Sequence, residues 1–141
     1  MPKVEVVLLP RGNATGYLQK ARQFCVAAAR ELEDDRFDAA LLCAVHAGIS
    51  AADAVCIAFA GRRSKDAEHL RAADLLEEIA KNSPPVWEKA GQLRALVRQK
   101  NRVEYEGKAA SGPDAVDAVR RCQRLVEWAE SEITRIEPST T

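Results

Sequence analysis

The segment from Phe37 to Gly61 constrains the fold of this chain more than any other feature. It is rich in alanine and apolar nearly all round, and its interior polar residues are His46, Ser50 and Asp53. A helix that is apolar on every side must be covered on every side, so this segment is predicted to be the central helix of a bundle. The polar residues and the alanine content make a membrane span a poor interpretation.

The three polar residues of this segment share one helical face, because they stand at positions i, i+4 and i+7. A single polar stripe on an otherwise apolar helix implies that something polar faces it. Two interpretations are open at this point. His46, Ser50 and Asp53 form either a buried hydrogen-bond network that serves only the fold, or a supporting stripe beside a functional site.

Apolar residues at alternating spacings of three and four predict further helices on both sides of the central one. These helices are expected at about Thr15 to Asp34, Asp66 to Lys81 and Val86 to the region of Tyr105, and from the capping-box sequence Ser111-Gly112-Pro113-Asp114 onward. The predicted fold class is therefore all-α, an antiparallel bundle of four to five helices.

The chain has 141 residues, which suffices for one domain with a core, and it contains no internal repeat. Residues 1–12 are predicted to form an N-terminal arm that is partly extended and packs on a partner subunit. Residues 13–137 are expected to form the single helical-bundle domain, and residues 138–141 a frayed tail. The segment from Gly61 to Lys65 is interpreted as a solvated basic loop.

The charge balance narrows the classes of partner. Lys and Arg total 21 and Asp and Glu total 21, so the chain lacks the excess of positive charge that general duplex-DNA binders use. No basic recognition helix stands out, so sequence-specific DNA binding is not expected. A small local basic patch remains compatible with this composition.

The cysteines and histidines give no metal pattern. Four cysteines are spread along the chain without a C-x-x-C pair: Cys25, Cys43, Cys56 and Cys122. They are interpreted as small core residues of a reducing compartment, which predicts a cytoplasmic protein without membrane attachment. His46 and His69 lack ligand spacing to any cysteine, so neither a metal nor another cofactor is expected.

The segment from Arg98 to Gly107 carries most of the chemistry. Arg98 and Tyr105 return to nearly the same azimuth on a straight helix at about 100° per residue, and Asn101 and Arg102 flank that line. Guanidinium groups bind phosphate through paired N–H donors, and a phenol can contact a ribose or base. The stripe is predicted to bind phosphate or RNA. The alternative interpretation is a solvated helix face with ordinary charges.

The chain resembles the HEPN domains, which are small helical bundles. The resemblance is carried by the alanine-rich second helix, by Asp66-Ala67-Glu68-His69, and by Lys100-Asn101-Arg102-Val103-Glu104-Tyr105-Glu106-Gly107. It extends from the first helix to the last. HEPN proteins typically carry Arg, a polar residue, a few spacers and then His, near the end of a late helix.

The resemblance implies a set of functions. Active HEPN proteins cut RNA without a metal, at a cleft formed by two subunits. Members without the histidine are thought to bind RNA, nucleotides or partner proteins. Many bacterial members are toxins paired with a small nucleotidyltransferase antitoxin.

This chain departs from the motif at the histidine, and two registers are possible. In one, Arg98 is the motif arginine, Val103 stands at the histidine position and Tyr105 matches the tyrosine of an R-x4-H-x-Y variant. In the other, Lys100-Asn101 replaces Arg-Asn, and Tyr105 replaces the histidine. Neither register supplies a histidine.

Metal-free RNA cleavage needs a base for the 2′-hydroxyl proton and a cation for the phosphorane. Histidine suits the base role, whereas tyrosine, with an ordinary pKa of about 10, does so only if neighbouring cations lower its pKa. Arg98 and Tyr105 are therefore the candidate catalytic residues. The candidate phosphate- and RNA-binding residues are Arg98, Lys100, Asn101 and Arg102.

The stripe of the second helix could complete this site if that helix faces the fourth. His46 could then act as the base, and Asp53 could pair with Arg98 or accept a hydrogen bond from Tyr105. The two polar stripes would face each other across the bundle or across a dimer cleft.

Two functions follow from the residues and the resemblance. The first is a HEPN-like RNA- or nucleotide-binding protein, whose enzymatic form would be a metal-independent endoribonuclease toxin with an altered motif. The second is a non-catalytic homodimeric helical module that binds a protein partner, such as a nucleotidyltransferase-type antitoxin. A homodimer is expected in both cases.

Overall fold

A computed structural model of the chain describes residues 4–65, 70–83 and 85–136. These residues contain α1 (Ala14–Glu33), α2 (Phe37–Ala60), α3 (Leu70–Ile79), α4 (Val86–Tyr105) and α5 (Gly112–Ile136). Two short strands, β1 (Val6–Leu8) and β2 (Arg62–Ser64), accompany the helices, and a 3-10 turn (Arg11–Asn13) leads into α1. The prediction of an all-α helical bundle is confirmed. The predicted start of the third helix at Asp66, His69 and the tail lie outside the described residues.

The central position of α2 follows from its composition. It packs against each of the other four helices. By length and composition alone α2 is apolar enough to cross a membrane, but 78% of its apolar window is buried inside the bundle. The apolar surface is thus covered by protein, as in the core helix of a soluble protein.

Gly48 is a point of close approach between α2 and two of its neighbours, α4 and α5. A Cβ at this position would lie 2.8 Å from Cδ1 of Leu96 on α4 and 3.2 Å from Cδ1 of Leu125 on α5. The missing side chain therefore lets two other helices pack onto the α2 backbone. This fixes which side of α2 faces α4.

The start of α5 has the capping box that its sequence predicts. The Asp114 N–H donates to the Ser111 hydroxyl at 3.1 Å, and the Ser111 N–H donates to the Asp114 carboxylate at 3.4 Å. Asp38, on the first turn of α2, accepts a hydrogen bond from the Ala110 N–H at 2.7 Å. The loop from α4 is thereby tied to α2 just before α5 begins.

The arm and the basic segment form a two-stranded antiparallel ribbon. β1 pairs with β2 in the register Val6 to Ser64 and Leu8 to Arg62. Gly61 ends α2 at a φ of +65°, a left-handed conformation that glycine adopts without strain. The interpretation of this segment as a basic loop was wrong, because the turn at Gly61 sends the chain back along the extended arm. Three residues per strand are too few to produce a recognisable sequence period.

α3 and α4 are joined by a shared arginine. Arg94 on α4 donates to Asp74 at 2.6 Å and also to Glu77, both on α3. Neighbouring carboxylates raise the pKa of Arg94 above its ordinary value through these hydrogen bonds. Arg94 lies one turn before Arg98, the first residue of the predicted stripe, but its guanidinium group binds the carboxylates of α3.

Candidate functional site

The stripe predicted on α4 lies on the last two turns of that helix. The N–H groups of Glu106 and Lys108 each lie 3.3 Å from the Arg102 carbonyl, and Gly107 has a φ of +67°. Together these features end the helix just after Tyr105, as the sequence predicts. The stripe therefore sits at an exposed corner of the bundle.

Two arginines on successive turns of this corner are exposed. Arg98 and Arg102 form no ion pair with any residue in the described part of the chain. Tyr105 is 70% exposed beside them. Uncommitted guanidinium groups on the surface retain all their donors for a phosphate.

Lys100 differs from these arginines because it is buried, with 5% of its surface exposed. Its ammonium group lies 3.2 Å from the Glu104 carboxylate and 5.5 Å from the centre of the Tyr105 ring. These contacts hold Lys100 and Tyr105 together, but they also occupy the charge of Lys100. Val103, which takes the histidine position in the first register, packs against the core.

A small crevice lies beside the stripe, between the end of α4 and the start of α5. Its volume is about 10 Å³, and Gln99, Arg102 and Lys108 contribute to its walls. Space of this size accommodates about one water molecule, not a nucleotide. The side-chain oxygens of Gln99 and Asn101 are buried and have no hydrogen-bond partner among the described residues. A ligand at this end of α4 would therefore lie on a surface.

The polar stripe of α2 faces α1. The His46 ring lies against the Phe24 ring of α1, with 5.4 Å between their centres. Gly48, which marks the side toward α4, is about 160° to 220° away from His46, Ser50 and Asp53 around the helix axis. Within one chain the stripe of α2 therefore does not face the stripe of α4, which excludes the arrangement across the bundle and leaves the arrangement across a dimer cleft as a prediction. Helix α2 contacts α1, α3, α4 and α5, and its polar residues lie on the side that faces α1.

A groove between α1, α2 and β2 holds this stripe. Its volume is about 380 Å³, and its polar lining comprises Tyr17, Lys20, His46, Ser50, Asp53 and Arg63. Arg63 donates through Nε to the Tyr17 hydroxyl at 3.0 Å, and the Lys20 ammonium group lies 5.2 Å from the centre of the Tyr17 ring. Groups from three elements thus meet at one concave surface.

Asp53 lies near two positively charged side chains in this groove, those of Lys20 and Arg63. Burial raises the pKa of its carboxyl group to about 7, while the positive charges of Arg63 and Lys20 act in the opposite direction. The positive charges that act on the pKa of Asp53 are those of Lys20 on α1 and Arg63 on β2. Arg98, which the sequence offered as a possible partner of Asp53, is not among them. With this pKa, the carboxyl group is partly protonated near neutral pH.

Tyr17, Lys20 and Arg63 were missed as site residues by the sequence analysis. Tyr17, Lys20 and Phe24 recur at spacings of three and four on α1, and that spacing was the available signal. Arg63 was interpreted as solvated, but it is partly buried, and it also donates to the Ser64 carbonyl at 3.1 Å. Its place in the groove depends on the β1–β2 pairing, which the sequence did not predict.

The cysteines are all free thiols. The sulfur atoms of Cys25 on α1 and Cys122 on α5 are 3.6 Å apart, and burial raises the pKa of the Cys56 thiol. Across residues 4–65, 70–83 and 85–136, no three His, Cys, Asp or Glu side chains are grouped as a metal site requires.

Comparison with known proteins gives no relative: no protein-family model, no curated protein and no solved structure matches this chain.

Proposed function

We propose that this chain is a HEPN-like RNA- or nucleotide-binding protein that holds phosphate groups at the C-terminal end of α4. The observation that carries the proposal is the exposed pair Arg98 and Arg102, which lie one turn apart without an ion-pair partner among the described residues. Tyr105, 70% exposed next to them, offers a ring and a hydroxyl group to a base or ribose.

The geometry favours binding over cleavage. Metal-free cleavage requires a group that accepts the 2′-hydroxyl proton near the bound phosphate. His46 lies on the α1 side of α2 against Phe24. Among the described residues of one chain, no histidine therefore lies beside Arg98 and Arg102, and a ribonuclease built from these residues would depend on Tyr105 as its base.

A second candidate function rests on Trp87. Its side chain is 65% exposed at the first turn of α4. Tryptophan is enriched at protein interfaces because it buries a large area at little conformational cost. This favours the alternative of a homodimeric module that binds a protein, such as a nucleotidyltransferase-type antitoxin.

The test of RNA binding compares two matched pairs of arginines. Arg98 and Arg102 on α4 and Arg120 and Arg124 on α5 are each spaced i, i+4, and all four are exposed. Anisotropy of a labelled mixed-sequence single-stranded RNA is measured with R98A/R102A and with R120A/R124A over a range of salt concentrations. We expect only the α4 pair to weaken binding, by about tenfold or more.

The salt dependence gives a second readout. Loss of two phosphate contacts should reduce the slope of log affinity against log salt by about 1.4, at about 0.7 per contact on a single strand. Equal effects of the two variants would contradict a site on α4. They would mean instead that both pairs contribute only general positive charge to RNA binding.

Cleavage is measured separately, with the same RNA in the presence of EDTA. Loss of cleavage in both Arg98→Ala and Tyr105→Phe would establish a metal-independent ribonuclease with a tyrosine in its site. Absence of cleavage by folded wild-type protein would leave a binding protein.

A further inference from the structure

The groove between α1, α2 and β2 has the dimensions of a small-molecule site. Its volume of about 380 Å³ lies within the range of about 300–1,000 Å³ that is usual for ligand pockets. Its walls come from α1, α2 and β2, which are far apart in the sequence. Packed helices supply two of these walls, so the groove is a built feature of the bundle.

The groove carries two cations, Lys20 and Arg63. Lys20 and Arg63 form no ion pair with any residue that the structure describes; both instead contact Tyr17, Lys20 over the ring and Arg63 through the hydroxyl. Both contacts place the cations beside Tyr17 in the groove. The unused N–H donors of the two cations therefore remain for an anionic group.

Two aromatic rings also line the groove. The Phe24 and His46 rings are 5.4 Å apart and tilted by 31°, and both line the groove. Ser50, which is buried with 7% exposure, also lines the groove and adds a hydroxyl group. A ring placed against Phe24 and His46 would cover apolar surface that an inorganic anion would leave in water.

We propose that this groove binds a small aromatic monoanion, a planar ring that carries one anionic group. The ring lies against Phe24 and His46, and the anionic group is held by Lys20 and Arg63. This site is separate from the phosphate-binding surface on α4 and does not depend on it.

Asp53 makes the proposed site sensitive to pH. Burial raises the pKa of this carboxyl group to about 7, so its charge is largely removed below neutral pH. Lys20 and Tyr17 of α1, His46 and Cys56 of α2, and Arg63 of β2 are the titratable and charged groups around it. A neutral Asp53 does not repel an anion, and its hydroxyl group can donate a hydrogen bond to it.

The experiment titrates three probes into ¹⁵N-labelled full-length protein and follows amide chemical shifts. Benzoate carries both the ring and the charge, acetate carries only the charge, and benzyl alcohol carries only the ring. We expect saturable shifts of groove residues with benzoate, and affinity at least about tenfold weaker for the other two probes.

Three variants assign the site. Lys20→Gln changes an exposed side chain with little risk to folding, and Arg63→Gln tests the second cation. Each should weaken benzoate binding by about tenfold, as expected for loss of a charge-assisted hydrogen bond. Arg98→Gln, on the α4 surface, should leave benzoate binding unchanged, so this proposal and the proposed RNA function fail independently.

The pH dependence of binding is measured with benzoate, because the charge of benzoate is constant across neutral pH. Its affinity for the wild type should fall between pH 6 and pH 8, by about threefold to tenfold, as Asp53 ionises. In Asp53→Asn the affinity should vary less over the same range. Absence of saturable benzoate binding, wild-type affinity in folded Lys20→Gln, or equal affinity for acetate would each overturn the proposal.

Discussion

At the scale of single residues, burial separates polar side chains with similar sequence contexts into different roles. Lys100 and Arg98 lie two positions apart, yet Lys100 is buried against Glu104 while Arg98 is exposed. Asp53 lies in the groove, where desolvation outweighs two nearby cations in setting its pKa. The environment of each group decides its chemistry, and residue type alone does not.

A prediction at this scale concerns Asp53→Asn and the pH dependence of stability. The folded carboxyl group has a pKa of about 7, against about 3.9 in an unfolded chain, so between these values the folded state binds the additional proton. Stability then falls as pH rises, and the loss between pH 6 and pH 8 should be about 1 kcal/mol. Urea unfolding of wild type at both pH values measures this loss.

In Asp53→Asn this part of the pH dependence should disappear, and the variant should be more stable than wild type at pH 8. Asp38→Asn, on the exposed first turn of α2, is a control at a second aspartate of the same helix. Identical pH slopes for wild type and Asp53→Asn would show that Asp53 ionises normally.

At the scale of secondary structure elements, the contact between α2 and α4 is fixed by the lack of a side chain at Gly48. That close approach directs the opposite side of α2, with its polar stripe, toward α1. Helix α4 is fastened in addition to α3 by Arg94. The two candidate sites lie on different faces of the bundle for these reasons.

Two glycine substitutions test this packing. Gly48→Val would push into Leu96 and Leu125, and the overpacking should lower the free energy of unfolding by about 3 kcal/mol. Gly91 is at an exposed position of α4, and a Cβ there would meet no atom within 4 Å. Gly91→Ala should therefore raise the free energy of unfolding by about 0.5–1 kcal/mol, because alanine favours the helix. Chemical denaturation followed by circular dichroism measures both. A Gly48→Val protein as stable as wild type would contradict the close packing described above.

At the scale of the whole molecule, the net charge is zero, yet some positively charged side chains form two local groups. Arg98 and Arg102 lie on the surface of α4, whereas Lys20 and Arg63 line the groove. Local clustering of this kind is compatible with the two proposed anion-binding surfaces, because neither needs an overall positive field. Neither surface would be recognised from net charge.

The assembly state gives the prediction at this scale. We expect a homodimer of about twice the chain mass of 15.4 kDa, measured by light scattering after size-exclusion chromatography. Trp87→Glu should shift the equilibrium toward monomer, because Trp87 is a large aromatic left 65% exposed. Val26→Glu, on exposed α1, serves as the control. A monomer at every concentration would rule out the dimer.

The sequence by itself determined the helices and the central place of α2. Strong periodicity and local capping signals act within one element, so α4 ends at Tyr105 and α5 begins at its capping box as predicted. The burial of α2 followed from its composition, because an apolar surface on all sides needs cover on all sides. The exposure of Arg98, Arg102 and Tyr105 on one corner also fits the stripe derived from their spacing.

Only the tertiary structure decided what faces each side of α2. The sequence shows that His46, Ser50 and Asp53 share a face, but the direction of that face depends on how α1, α3, α4 and α5 pack around the helix. The groove also needs the β1–β2 pairing, which brings Arg63 beside Tyr17 from 46 residues away. Such contacts between distant segments leave no period in the sequence, because they arise from the close packing of whole elements.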